Sequence, residues 1–166
     1  MSSTSVYAIY KTKASHIDEY HNGHGSGPAI WDYISMKLTG QEFQMFGDDL
    51  DSFWKSWKDK RLSRNEKAVL LSTYDNAVIE IKYMEEFSKA CIEVHNLINN
   101  GSKWTWNHFS DIGKTANKLA FKHDHRCIGF GIGCTSICDP WEFWDPKQGK
   151  PWGVYETIES IKELKR

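Results

Sequence analysis

Between Met84 and Ile98 the chain places Met84, Phe87, Cys91, Val94 and Ile98 at alternating steps of three and four residues. Only a helix brings such positions onto one face, because its period is 3.6 residues. An apolar stripe of that length has to be buried, so this helix requires a second layer to pack against. Asn99-Asn100-Gly101 then terminates it.

Other segments supply that layer and more helices. Ser63 followed by Glu66 is a capping box, and Ala68-Val69-Leu70-Leu71 runs on from it, so a helix is expected up to about Tyr74-Asp75-Asn76. Trp31, Ile34 and Leu38 share a face of a helix over about Pro28 to Leu38, which Thr39-Gly40 stops. Asp48 or Asp49 is expected to cap a helix carrying Leu50, Phe53, Trp54 and Trp57. Phe109, Ile112, Ala116 and Leu119 are in helical register within Trp106 to Phe121, although Gly113 interrupts good helix formers. A last element spans Tyr155 to Leu164.

Strands are expected at Val6–Tyr10, Ala77–Ile81 and Arg126–Ile137, with Lys11 to Asp18 a polar connection and Asp139 to Trp152 an irregular loop. The glycines of the third strand predict a bulge or the close approach of another backbone. Short strands interspersed with separate helices predict an α+β fold. The expected architecture is a small mixed or antiparallel sheet of three or more strands with four to five packed helices. At 166 residues the chain is read as a single globular domain, residues 1–166.

Charge narrows the function classes. With 21 basic and 22 acidic residues the net charge is -1, which speaks against nucleic-acid binding through a basic patch. No apolar run reaches membrane-spanning length, so no membrane partner is expected. Met1-Ser2-Ser3-Thr4-Ser5 has neither the basic nor the apolar part of a secretory signal. A cytoplasmic location with reduced thiols at Cys91, Cys127, Cys134 and Cys138 is therefore expected. Eight Trp are more than surface chemistry ordinarily uses; most are expected in the core and a few exposed for a reason.

Two stretches are candidate sites. The first is His21-Asn22-Gly23-His24-Gly25-Ser26-Gly27-Pro28, between a strand and a helix. Ser26 suits an N-cap and Pro28 the first helical turn. The free N–H groups and dipole of that helix start, with His21, His24, Gly25, Ser26 and Gly27, suit an anion. The run matches neither the dinucleotide fingerprint nor the phosphate loop, and a purely structural turn with exposed histidines explains it equally. The second stretch is the Trp- and Pro-rich segment 139–152. Trp141, Phe143, Trp144 and Trp152 there form either an aromatic partner-binding surface or a lid on the sheet.

His123, His125 and Cys127 fall on one face if their segment is extended, and Cys134 and Cys138 follow. That spacing fits no common zinc module, so no metal and no other cofactor is expected. No catalytic residue is assigned, and residue types alone do not establish a Cys–His nucleophile.

One resemblance bears on function. The motifs are the turn from Gly25 to Trp31, Leu62-Ser63-Arg64 with Leu71-Ser72-Thr73-Tyr74-Asp75, and Cys134-Thr135-Ser136-Ile137 before Asp139-Pro140-Trp141. In these the chain resembles small uncharacterised accessory proteins of bacteriophages and mobile elements. The resemblance implies an intracellular protein of the kind that inhibits host defence, in the host cytoplasm, and assigns no activity to particular residues. The expected function is binding and inhibition of a host protein through the aromatic loop and the Gly/His turn. The alternative is an enzyme acting on, or a protein sequestering, a phosphate-bearing nucleotide-like small molecule at that turn.

Overall fold

A computed structural model describes residues 3–11, 13–21, 26–44, 50–74, 77–101, 107–122, 124–133 and 152–163, with the backbone alone at 50, 51, 101 and 161–163. Strand β1 (Ser3–Tyr10) turns into β2 (Ala14–His21) and then helix α1 (Ser26–Thr39). Helix α2 (Leu50–Trp54) continues into a 3-10 turn at Lys55–Lys58, and α3 (Arg64–Ser72) leads to β3 (Ala77–Glu80). A second 3-10 turn, Ile81–Tyr83, enters the long α4 (Met84–Gly101), which is followed by α5 (Phe109–Ala120). The chain returns to the sheet as β4 (Cys127–Gly133) and β5 (Trp152–Gly153) before α6 (Val154–Glu163). The five strands form one mixed sheet in the order β2-β1-β4-β3-β5, with only β3 and β5 parallel. This is an α+β fold, with six α-helices among the described residues. None of these helices is long and apolar enough to cross a membrane.

Alternation along the strands divides the core. Val6, Ala8, Phe130, Ile132 and Ile79 pack into the large cluster with the helices, whereas Tyr7, Ile9 and Val78 form a small cluster with Ala14 and Ile128. All five stripe residues of α4 are fully buried, as are Phe109, Ile112 and Ala116 of α5. Gly113 is explained by this packing: a Cβ there would lie 2.7 Å from the Ser88 carbonyl oxygen, so the absence of a side chain lets α5 lie close against α4. Gly40, at φ 74°, ends α1 by donating its N–H to the Met36 carbonyl at 3.0 Å.

Three expectations are corrected. The polar stretch from Lys11 to Asp18 belongs largely to β2, an edge strand. Val6 pairs with Asp18 and Tyr7 with His16, so Ile17 is an extra, bulged residue. The bulge and two-sided exposure erase the alternation by which a half-buried strand is recognised. Trp152 is part of β5, paired with Ala77, and not irregular. The segment 124–126 is a turn: Asp124 accepts the Cys127 N–H on its carbonyl at 3.1 Å and the Arg126 N–H on its carboxylate at 3.0 Å. His125 and Cys127 therefore do not share a strand face.

The capping box forms as expected. Glu66 donates its N–H to Ser63 Oγ at 3.1 Å and accepts the Ser63 N–H at 2.7 Å. The Glu66 carboxylate, 2% exposed, also accepts Lys37 Nζ at 2.6 and 2.8 Å and the Tyr33 hydroxyl at 2.8 Å. Burial alone would raise its pKa, but the Lys37, Ser63 and Tyr33 hydrogen bonds outweigh burial and hold it below the ordinary 4.5. A depressed folded-state pKa contributes stability that is complete above the ordinary value and lost as the pH falls through the depressed one. Melting temperatures followed from about pH 7 to about pH 3 should therefore fall most steeply in the acid part of that range, and Glu66→Gln should flatten the fall. An identical pH slope in the variant would refute this role.

Candidate functional site

The strand register gathers the attachment points of both candidate stretches. His21 pairs with Ser3, Gly133 with Ser5, and Trp152 with Ala77. The C-terminal ends of β2 and β4 and the N-terminal ends of β1, β3 and β5 thus lie at one end of the sheet. The Gly/His turn leaves β2 there, and the chain from β4 to β5, which carries the aromatic stretch, leaves and re-enters there. Helix α1 starts at the same place.

Ser26 binds that end together. It is buried, donates its N–H to Thr4 Oγ1 at 3.1 Å, and accepts the His108 backbone N–H on Oγ at 3.3 Å. It is the first residue of α1 and its Oγ is turned to α5, so it joins β1, α1 and α5 where an N-cap of its own helix was expected. Gly27 is also buried. His21 closes β2 with its side chain 75% exposed and Nε2 3.6 Å from Glu19 Oε2. His24 and Gly25 lie outside the described residues.

His108, which the sequence does not single out, completes the surroundings of Ser26. Its imidazole stacks on Tyr20 with centroids 5.2 Å apart, and its Nδ1 is 3.7 Å from Asp111 Oδ2. The Tyr20 hydroxyl meets Thr115 Oγ1 at 2.7 Å. Burial is the main cause that pushes the Tyr20 phenol up. Ser26 bonds the backbone of His108 and not its imidazole, so these two residues do not form a Ser–His nucleophile pair. What this geometry does hold is a polar seam between the sheet edge and α5, made by Tyr20, His108, Asp111 and Thr115.

Trp152 is half-buried, its ring edge-on to Tyr74 at 5.1 Å. Tyr74 in turn meets Trp54, and Trp54 meets Trp31, whose Nε1 donates to Thr73 Oγ1 at 2.8 Å. Trp31, Trp54 and Trp57 are core residues. Trp152 thus anchors the return of the aromatic stretch onto the core, while Trp141, Phe143 and Trp144 lie outside the described residues.

Cys91 and Cys127 are buried thiols. Burial pushes the Cys127 thiol up, and its Sγ donates to the Gly129 carbonyl at 3.3 Å. His123, Cys134 and Cys138 are outside the described residues. Among the described residues no three His, Cys, Asp or Glu side chains converge in a metal-holding group. No family model matches this chain, and neither a curated protein nor a solved structure does.

Proposed function

We propose that this chain is a phage-type accessory protein that binds and inhibits a host defence component, acting in the host cytoplasm. The observation that carries the reading is the register, which attaches the Gly/His turn and the Trp-rich stretch to one end of the sheet. The attachment points of two segments distant in sequence thereby lie at one end of the sheet, which supports a shared partner-binding face. The motif resemblance to phage accessory proteins supplies the class of partner. The alternative, an enzyme acting on or a protein sequestering a phosphate-bearing nucleotide-like small molecule at the turn, draws no comparable support from the described residues: the N–H of Ser26 is already donated to Thr4, and its hydroxyl meets the backbone of His108 and not the imidazole.

Trp141→Ala and Trp144→Ala test the reading. Circular dichroism and thermal melting should be unchanged, while affinity for the host protein captured in a pull-down should fall by about 2 kcal/mol or more, as for a buried aromatic anchor. Unfolding of both variants would make the rings core residues. Intact variants that capture the same partner with undiminished affinity would move the surface away from this stretch.

A further inference from the structure

The opposite end of the sheet carries a cavity of its own. The β1–β2 turn closes by the Tyr10 N–H donating to the Lys13 carbonyl at 2.8 Å, which sets Lys11 and Lys13 on a tight hairpin. The turn at 124–126 starts β4 beside it, since Tyr10 pairs with Cys127. Between the two turns lies a cavity of about 600 Å³ lined by Tyr10, Lys11, Lys13, His125, Arg126 and Ile128. Three basic side chains and an imidazole line it, and among the described residues no carboxylate does, in a chain whose net charge is -1.

The polar side is organised from behind. Asp124 Oδ1 accepts Arg126 Nε at 3.2 Å, and Asp124 Oδ2 accepts the Tyr10 hydroxyl at 3.3 Å. Asp124 engages the guanidinium through Nε alone, while the Arg126 side chain is 86% exposed, so its terminal N–H groups can reach an anion. The Arg126 bonds hold the Asp124 carboxyl below the usual carboxylate range, so the brace stays charged. Lys13 Nζ stands 5.4 Å from the centroid of the Tyr10 ring, at the same mouth. Tyr10 and Ile128, both half-buried, are the apolar members of the lining, Tyr10 packed on the large cluster and Ile128 on the small one.

We propose that this cavity binds a nucleoside phosphate, its phosphate held by Lys11, Lys13 and Arg126 and its base against the Tyr10 ring. The volume falls in the range of small-molecule sites, about 300–1,000 Å³, and far exceeds what inorganic phosphate fills. The three basic side chains line one cavity of small-molecule size, which favours a small ligand over a nucleic-acid strand. The site is separate from the partner-binding end, so either reading can fail without the other.

Titration calorimetry of the full chain with AMP, GMP, CMP and UMP, and with inorganic phosphate, tests the proposal. At least one nucleotide should saturate a single site and bind about tenfold or more tightly than phosphate. Lys11→Gln combined with Arg126→Gln should weaken that nucleotide by about tenfold or more at an unchanged melting temperature. Both side chains are exposed, so the fold should tolerate their loss. The proposal is overturned if no nucleotide binds at millimolar concentration, if phosphate binds as well as every nucleotide, or if the double variant binds like the parent. Preference for a single-stranded oligonucleotide over every mononucleotide would overturn it too.

Discussion

Phe87→Ala is expected to destabilise the fold by about 3–5 kcal/mol, the cost of emptying a phenyl-sized site in a packed core. Phe87 is fully buried in the first turn of the α4 stripe, and its ring lies 6.3 Å from that of Phe130 on β4. It is thus the contact by which the longest helix sits on the central strands. Both flanking layers are regular elements, so neither can collapse freely into the space left behind. Ile92 provides the internal comparison: it is on the same helix but exposed, and its replacement by alanine should change stability by no more than about 0.5 kcal/mol. Urea denaturation of the three proteins gives both numbers. A Phe87→Ala midpoint close to that of the parent would mean that the stripe does not carry the packing between helix and sheet.

Gly129→Ala should have the second largest effect, about 1–3 kcal/mol or somewhat more. A Cβ at this position would press on the Ile79 carbonyl oxygen and come within 2.5 Å of Val78 Cγ1. Gly129 is paired on both sides, with Ile9 of β1 and Glu80 of β3, so β4 has no free edge toward which it can shift. The main obstacle is backbone, which cannot rotate away as a side chain does. Denaturation midpoints should fall, and amide exchange should quicken in β3 and β4 together, since the methyl separates that pair. Unchanged stability would show that the two strands part at little cost and that the glycine is incidental.

Much of the helical layer was legible in the residues. The α4 stripe, the α5 register, the stop at Gly40 and the Ser63–Glu66 box are local patterns, built from steps of four residues or fewer, and each is found in the structure. The glycines of β4 did announce a close backbone approach, which Gly129 makes. The candidate site was legible only as two separate stretches. Nothing in their spacing says that they are attached at one end of a sheet, because that follows from antiparallel pairing between residues as distant as Ser5 and Gly133. His108 escaped notice for the same reason: its partners Tyr20 and Ser26 are remote in sequence.

The cavity at the other end shows the division clearly. Lys11 and Lys13 read as a polar connection, Arg126 as the start of a strand and His125 as one of a His/Cys group. Each pair taken alone is ordinary surface charge. They become one site because the β1–β2 hairpin and the Asp124 turn stand side by side where Tyr10 meets Cys127. What the sequence by itself determined is the set of elements whose hydrogen bonds and apolar faces are satisfied locally: the amphipathic helices, their caps and the apolar strands. Only the tertiary structure decided the edge strand β2, the two-residue β5 and the convergence of charged turns. Their energies come from partners far along the chain, and no periodicity records a partner that the chain meets only after folding.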